Sequence, residues 1–216
     1  MGGPGSEVAR SVGPCLYSRV LRIGLTGGIA SGKSTASQRF EELGARVIDH
    51  DELSRRAVEP GSAALVDIVS AFGDAVMTDG QLDRAALANI VFSSDHERAR
   101  LNRIVHPYVI AGAIAADKLA RAEGVDVIVH DIPLLVETGQ GGDFDMVVTV
   151  TAPADVRVDR LVETRSMARH DAFARVAAQA TDEERAAIAD FVLDGSGTPQ
   201  HLVDQVDQFW KDLVPH

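Results

Sequence analysis

A chain of 216 residues with 45% hydrophobic content is long enough for one compact domain with a sizeable core and short for two independent ones. The 25% charged fraction is that of an ordinary soluble globular protein, and no apolar run approaches the roughly 18 residues of a membrane span. A net charge of -11 makes non-specific nucleic-acid binding a poor fit, since that rests on phosphate neutralisation by Lys and Arg, but a local site can override the global sign for a nucleotide.

Residues 1–20 are rich in Gly, Ser and Pro, show neither helical nor strand period, and lack the apolar stretch of a signal peptide. They read as a disordered extension or a cloning remnant, outside a single domain over 21–216. The one cysteine, Cys15, lies in this segment; a disulfide framework is excluded, and a reducing, cytoplasmic setting fits. Short apolar, β-branched runs follow at 21–26, 45–49, 125–130, 146–151 and 190–194. Separated by helical patterns, they predict an α/β fold of three layers (α/β/α) around a five-stranded parallel sheet. A short helix over 34–43 should end at Gly44. Residues 52–123 hold no convincing strand; helical patterns broken at Pro60-Gly61 and at Thr78-Asp79-Gly80 predict a helical insertion on the sheet. Pro153 can open a helix at its first turn, and 154–188 read as helix, break and helix, carrying Arg157, Arg160, Arg165, Arg169, Arg175 and Arg185.

The strongest motif is Gly27-Gly28-Ile29-Ala30-Ser31-Gly32-Lys33-Ser34, which satisfies G-x-x-x-x-G-K-[ST] between a predicted strand and a predicted helix. Glycines let successive backbone N–H groups curl inward at phosphate oxygens, and the following helix adds its positive end. Lys33 can reach the β- and γ-phosphates, and the Ser34 hydroxyl can ligate Mg2+. A plain turn between strand and helix has no need of Gly-Lys-Ser here. This P-loop implies ATP as co-substrate.

Two acidic sites lie at the carboxyl ends of strands, where open α/β sheets bind ligands. Asp49-His50-Asp51 ends the second strand, and His130-Asp131 ends the third. If the chain stays extended, Asp49 and Asp51 share a side, and one can take a proton from an acceptor hydroxyl while the other holds substrate or a metal-bound water. Equally, both can cap the following helix. Asp131, after Val127-Ile128-Val129, resembles a Walker B carboxylate that holds Mg2+. His130 reads as a packed or solvent-facing residue, and no His/Cys cluster suggests zinc. Most of the six arginines read as a solvated helix face, with one or two in a lid that meets the phosphates.

In their order along the chain these motifs resemble the dephospho-CoA kinase family, over about Leu21 to Trp210. The resemblance rests on Leu25-Thr26-Gly27-Gly28-Ile29-Ala30-Ser31-Gly32-Lys33-Ser34-Thr35, Asp49-His50-Asp51, Arg55 with Val58-Glu59-Pro60-Gly61, and Phe72-Gly73. It continues through Asp79-Gly80-Gln81-Leu82-Asp83-Arg84, Leu101-Asn102, His106-Pro107, Pro133-Leu134-Leu135 with Glu137, Gln179 and Ala189-Asp190. It implies a P-loop NTPase core, a helical CoA-binding insertion over about 52–123, and a mobile Arg-rich lid over about 160–182. It also implies transfer of the ATP γ-phosphoryl group to the ribose 3′-hydroxyl of dephospho-CoA, with small-molecule partners and no nucleic acid or membrane. By the same resemblance Gly27 to Thr35 bind ATP, Asp51 is the general base, and Asp49 supports substrate or metal water. Arg55, His106, Pro133, Leu134 and Leu135 line the acceptor pocket, Arg165 meets the phosphates and Arg169 assists.

Two positions depart from the family. Gly195-Ser196-Gly197 stands where many members have Asn-Ser-Gly or Asn-Asn-Gly, so an Asn contact near the adenine does not carry over. His50 stands where many have Ala; it is expected to point away from the site, yet it is bulky and titratable enough to perturb Asp51. Another small-molecule kinase on the same core, acting on a nucleoside or nucleotide, is the nearest alternative, since fold alone does not separate them. A nucleotide-hydrolysing switch fits less well, because paired carboxylates beside an Arg-rich lid suit transfer.

Overall fold

The computed structural model describes residues 20–92 and 94–213. The expectation for residues 1–20, Cys15 included, therefore lies outside the described residues except at Val20, which packs against the sheet.

The first strand, β1 (Leu21–Gly27), is buried on both faces from Ile23 onward, with Leu21, Ile23 and Leu25 on one face and the small Gly24 and Thr26 on the other, so it sits at the centre of a covered sheet. It pairs in parallel with β5 (Val127–Asp131) on one side and β6 (Met146–Thr151) on the other. Two outer strands, β2 (Arg46–Asp49) and β7 (Phe191–Asp194), complete the order β2-β5-β1-β6-β7, all parallel. Apart from shifts of one or two residues at strand ends, this is the sheet expected from the β-branched runs.

Helices cover both faces. The helix α1 (Lys33–Glu42) starts after Gly32 and stops before Gly44, whose φ of 102° suits a residue without Cβ. It packs with the final helix, α9 (Pro199–Leu213), through Phe40, whose ring meets Phe209 edge-on at 5.8 Å. Phe40 is fully buried, and such burial contributes about 1.5–3 kcal/mol. Arg39 clamps the same pair of helices with two hydrogen bonds to Asp207, 2.6 and 3.0 Å.

The insertion begins directly at the end of β2. It comprises α2 (His50–Ala57), α3 (Ala63–Phe72), α4 (Arg84–Phe92) and the 28-residue α5 (Asp95–Ala122). These helices enclose a core of their own around Val58, Ile68, Val76 and Leu87, against which Leu101, Ile104 and Val105 of α5 pack. Further along α5, Ala113 and Ala120 instead pack on Ile48 and Ile128 of the sheet. The insertion is not purely helical, contrary to expectation. A small hairpin of β3 (Met77–Thr78) and β4 (Gln81–Leu82) turns at Asp79-Gly80, with φ of 50° and 75°. Positive φ at both turn residues is what an Asp-Gly hairpin turn requires.

After β6, Pro153 takes the N-cap position of α6 (Ala154–Arg165), one residue before the first turn where it was expected. Three helices then follow one another where two were expected: α6, α7 (Arg169–Ala177) and α8 (Asp182–Ile188). The extra break at 178–181 is held by Thr181, whose hydroxyl accepts from the Glu184 N–H while the Glu184 carboxylate accepts from the Thr181 N–H. Among the described residues no helix is long and apolar enough to cross a membrane.

Candidate active site

The phosphate loop joins the end of β1 to α1. Ala30 and Gly32 take φ of 61° and 105°, so the chain curls between two fixed elements. Two side chains from elsewhere hold the curl. Arg160 on α6 donates to the Ala30 carbonyl at 3.1 Å and the Ser31 carbonyl at 3.4 Å. The same guanidinium donates to the Gly197 carbonyl at 3.0 Å, tying the loop to the turn after β7. The Ile29 N–H donates to Gln179 Oε1 at 2.7 Å. Gly195 packs so closely that a Cβ there would lie 1.9 Å from the Ser31 carbonyl oxygen.

Lys33 forms an ion pair with Asp131 on β5. Burial pushes the Asp131 carboxyl up from its ordinary value, and the Lys33 ammonium opposes that rise. Asp49 is the register partner of Asp131 across β2 and β5, so the two carboxylates end adjacent strands. Of the two readings left open for Asp49 and Asp51, extended strand or helix cap, the cap holds for Asp49 and not for Asp51: the strand stops at Asp49. Its Oδ1 accepts from the Glu52 N–H at 3.0 Å, satisfying an orphan donor of α2, so the helix starts at His50. Asp51 is left exposed in the first turn, and Arg55, exposed one turn on, approaches Asp49 at 3.8 Å.

Strand alternation sends His130 to the opposite face from Asp131. There it is 2% exposed and packed against Phe144, the rings tilted by 48° with centroids 5.1 Å apart. One ring nitrogen donates and the other accepts between His50 Nε2 and His130 Nδ1, 3.1 Å apart. Burial is the main cause that lowers both imidazoles to about 4. His106 sits exposed on α5, with Nε2 3.4 Å from Gln140 Nε2, and its charge works against protonation of His50.

The loop after β5 corrects a second expectation. Leu135 is fully buried among Ile132, Phe144 and Val147, so it belongs to the core and not to an open pocket wall. Leu134 is 47% exposed and Pro133 partly so. Glu137, in the same loop, accepts from the Ala180 N–H at 3.0 Å and so reaches the α7–α8 connection.

The arginines divide differently from expectation. Arg165 is exposed in the last turn of α6, and Arg169 is spent on a 2.6 Å bond to Asp159. Arg157 and Arg185, read from the sequence as members of a solvated face, are 4% and 0% exposed. Arg160 and Gln179 are the loop-holding residues that spacing alone did not assign, and Arg157 and Arg185 lie buried beside Gly28. The one available signal was that the family pattern includes Gln179. Among the described residues no three His, Cys, Asp or Glu side chains converge as a metal cage.

The sequence model of the dephospho-CoA kinase family matches residues 21–200. A dephospho-CoA kinase of Mycolicibacterium paratuberculosis is 50% identical over 90% of this chain and 48% of its own length. One from Cutibacterium acnes is 46% identical over 96% of this chain and 91% of its own. The chain thus spans about half the length of the first relative and nearly all of the second. A crystal structure of TT1252 from Thermus thermophilus superposes with a TM-score of 0.78 at 33% identity, covering 91% of this chain and all of that one. With the match of residues 21–200 and these identities, this chain belongs to the dephospho-CoA kinase family.

Proposed function

We propose that this protein transfers the γ-phosphoryl group of ATP to the ribose 3′-hydroxyl of dephospho-CoA, giving CoA and ADP, the last step of coenzyme A synthesis. The observation that carries the reading is the meeting of the phosphate loop, the Lys33–Asp131 pair and the Asp49–Asp51 corner at one end of the sheet, beside a helical insertion. Residues 21–216 act as one domain, with the acceptor-binding part over about 52–123 and the lid over about 160–182.

Gly27 to Thr35 hold the ATP phosphates through backbone N–H groups and the N-terminus of α1. Lys33 exchanges Asp131 for the β- and γ-phosphates. Asp51, exposed and unencumbered by the cap, accepts the proton of the 3′-hydroxyl as its oxygen bonds to phosphorus and the bond to the leaving ADP oxygen breaks. Asp49 fixes the start of α2 and so the position of Asp51. Arg55, His106, Pro133 and Leu134 face the acceptor, and Leu135 supports that wall from the core. Arg165 reaches the phosphates from the end of α6, and Arg169 assists once it leaves Asp159.

The donor set fits Mg2+: Ser34 and Asp131 offer oxygen only, and Mg2+ characteristically takes one or two carboxylates and fills the rest with water and substrate phosphates. When bound, it would neutralise charge on the phosphate chain. A single cysteine and the absence of a disulfide framework support a cytoplasmic setting.

ADP release with ATP and Mg2+ tests the reading, comparing dephospho-CoA with nucleosides, nucleotides and water alone. Stimulation by dephospho-CoA only, with CoA identified by mass spectrometry, is the expected result. Equal stimulation by a nucleoside or by water overturns it.

A further inference from the structure

Arg157 of α6 and Arg185 of α8 converge beneath the phosphate loop. A Cβ on Gly28 would lie 2.1 Å from Arg157 Nη1 and 3.4 Å from Arg185 Nη1, so the missing side chain admits both guanidiniums to the loop backbone. Both are buried, yet neither is fully satisfied. Arg157 Nε and Nη1, and Arg185 Nε and Nη2, have no hydrogen-bond partner among the described residues. Their counter-charges stand back: Asp182 lies 3.6 Å from Arg157 and 3.5 Å from Arg185, and Glu137 lies 3.5 Å from Arg185. Those carboxylates are 27% and 28% exposed, so acids lie toward solvent and cations toward the loop. Burial lowers the Arg185 guanidinium from its ordinary value, a sign that the arrangement costs stability in the resting protein.

We propose that Arg157 and Arg185 are positioning residues for a nucleoside triphosphate, a buried cation pair that sets the Gly28–Ile29 backbone and makes the loop electropositive before the anion arrives. A purely structural pair would be expected to satisfy its donors at close range. This pair leaves four guanidinium nitrogens without a hydrogen bond, and one of them, Arg157 Nη1, lies against the one segment that must receive a phosphate chain. The link to the lid is direct: Arg185 Nη1 donates to the Ala180 carbonyl at 2.5 Å, and the neighbouring Gln179 accepts from Ile29. The inference rests on the proposed function only in taking ATP as the nucleotide.

The experiment is calorimetric titration of ATP with Mg2+, without acceptor, into the wild type, Arg157→Met and Arg157→Lys, together with thermal unfolding of each. Removing a poorly paired buried charge should leave the melting temperature level or higher, whereas loss of preorganised charge should weaken ATP at least about tenfold in the Met variant. The Lys variant, which keeps the charge, should recover most of that loss. An ATP affinity within about twofold of wild type in Arg157→Met, or no recovery in Arg157→Lys, overturns the proposal. Should Arg157→Met not fold, Arg157→Gln takes its place in the comparison with Lys and is held to the same criteria. Because no acceptor is present, failure here is separable from failure of wild-type turnover on dephospho-CoA.

Discussion

Gly195→Ala is a small change with a worked consequence. The added Cβ would lie 1.9 Å from the Ser31 carbonyl oxygen and 3.0 Å from Val150 Cγ1, where ordinary contact begins at 3.4 Å. About 1.5 Å of separation must be found, and neither side yields easily. Ser31 is held by Arg160, and the Gly195 N–H donates to the Thr151 carbonyl at 2.8 Å. Overpacking of this kind costs about 1–3 kcal/mol, and a backbone obstacle places it near the upper end. For a chain of this size that is a fall in melting temperature of roughly 6–12 °C. A displacement of about 1 Å in a phosphate-positioning loop lowers turnover about 100-fold. Thermal unfolding by circular dichroism and ADP release with ATP and dephospho-CoA measure the two effects. A melting temperature within about 1 °C of wild type together with turnover within about twofold would refute the reasoning, because it would mean that the turn after β7 does not press on the phosphate loop.

Lys33→Ala should abolish nearly all transfer, at least about 100-fold in turnover, since positioning and electrostatics carry phosphoryl transfer; near-normal ADP release would remove Lys33 from the mechanism. Asp51→Asn should lower turnover far more than ATP affinity, and the split is read by combining steady-state kinetics with ATP titration. Both His50 and His130 are held near 4 in the folded chain, below the unfolded value near 6.5, so the unfolded chain binds more protons between those limits. Stability should therefore be fully present above about pH 6.5 and fall as pH drops toward 4, by on the order of 3 kcal/mol for each ring. Urea unfolding across that range checks it, and a flat profile in wild type would contradict the burial of the two rings.

The sheet and the phosphate loop were legible because their chemistry restricts residue choice. β-branched runs suit strands covered on both faces, and Gly-x-x-x-x-Gly-Lys-Ser spacing makes the loop. Other features left no local signal. Strands of two residues have no period, so Asp79-Gly80 read as a break where it is a hairpin turn. Neither break over 154–188, at 166–168 or at 178–181, contains Gly or Pro, so one break was expected where there are two. In Pro133-Leu134-Leu135 nothing local distinguishes the exposed leucine from the buried one; the core under Phe144 decides. Arginine on a helix reads as surface, and Arg157 and Arg185 are buried only because α6 and α8 fold against the loop from separate parts of the chain. The Asp49 cap depends on where β2 stops, which extended spacing does not reveal.

The helix α5 is shared property. At 28 residues it runs about 42 Å, long enough for one part to sit in the insertion's core and another in the sheet's. Neither core can melt without stripping one wall from the other, so the two should unfold in a single cooperative transition. Amides between Ala113 and Ala120 should then exchange with solvent only through that global event, and the insertion should show no separate early exchange phase.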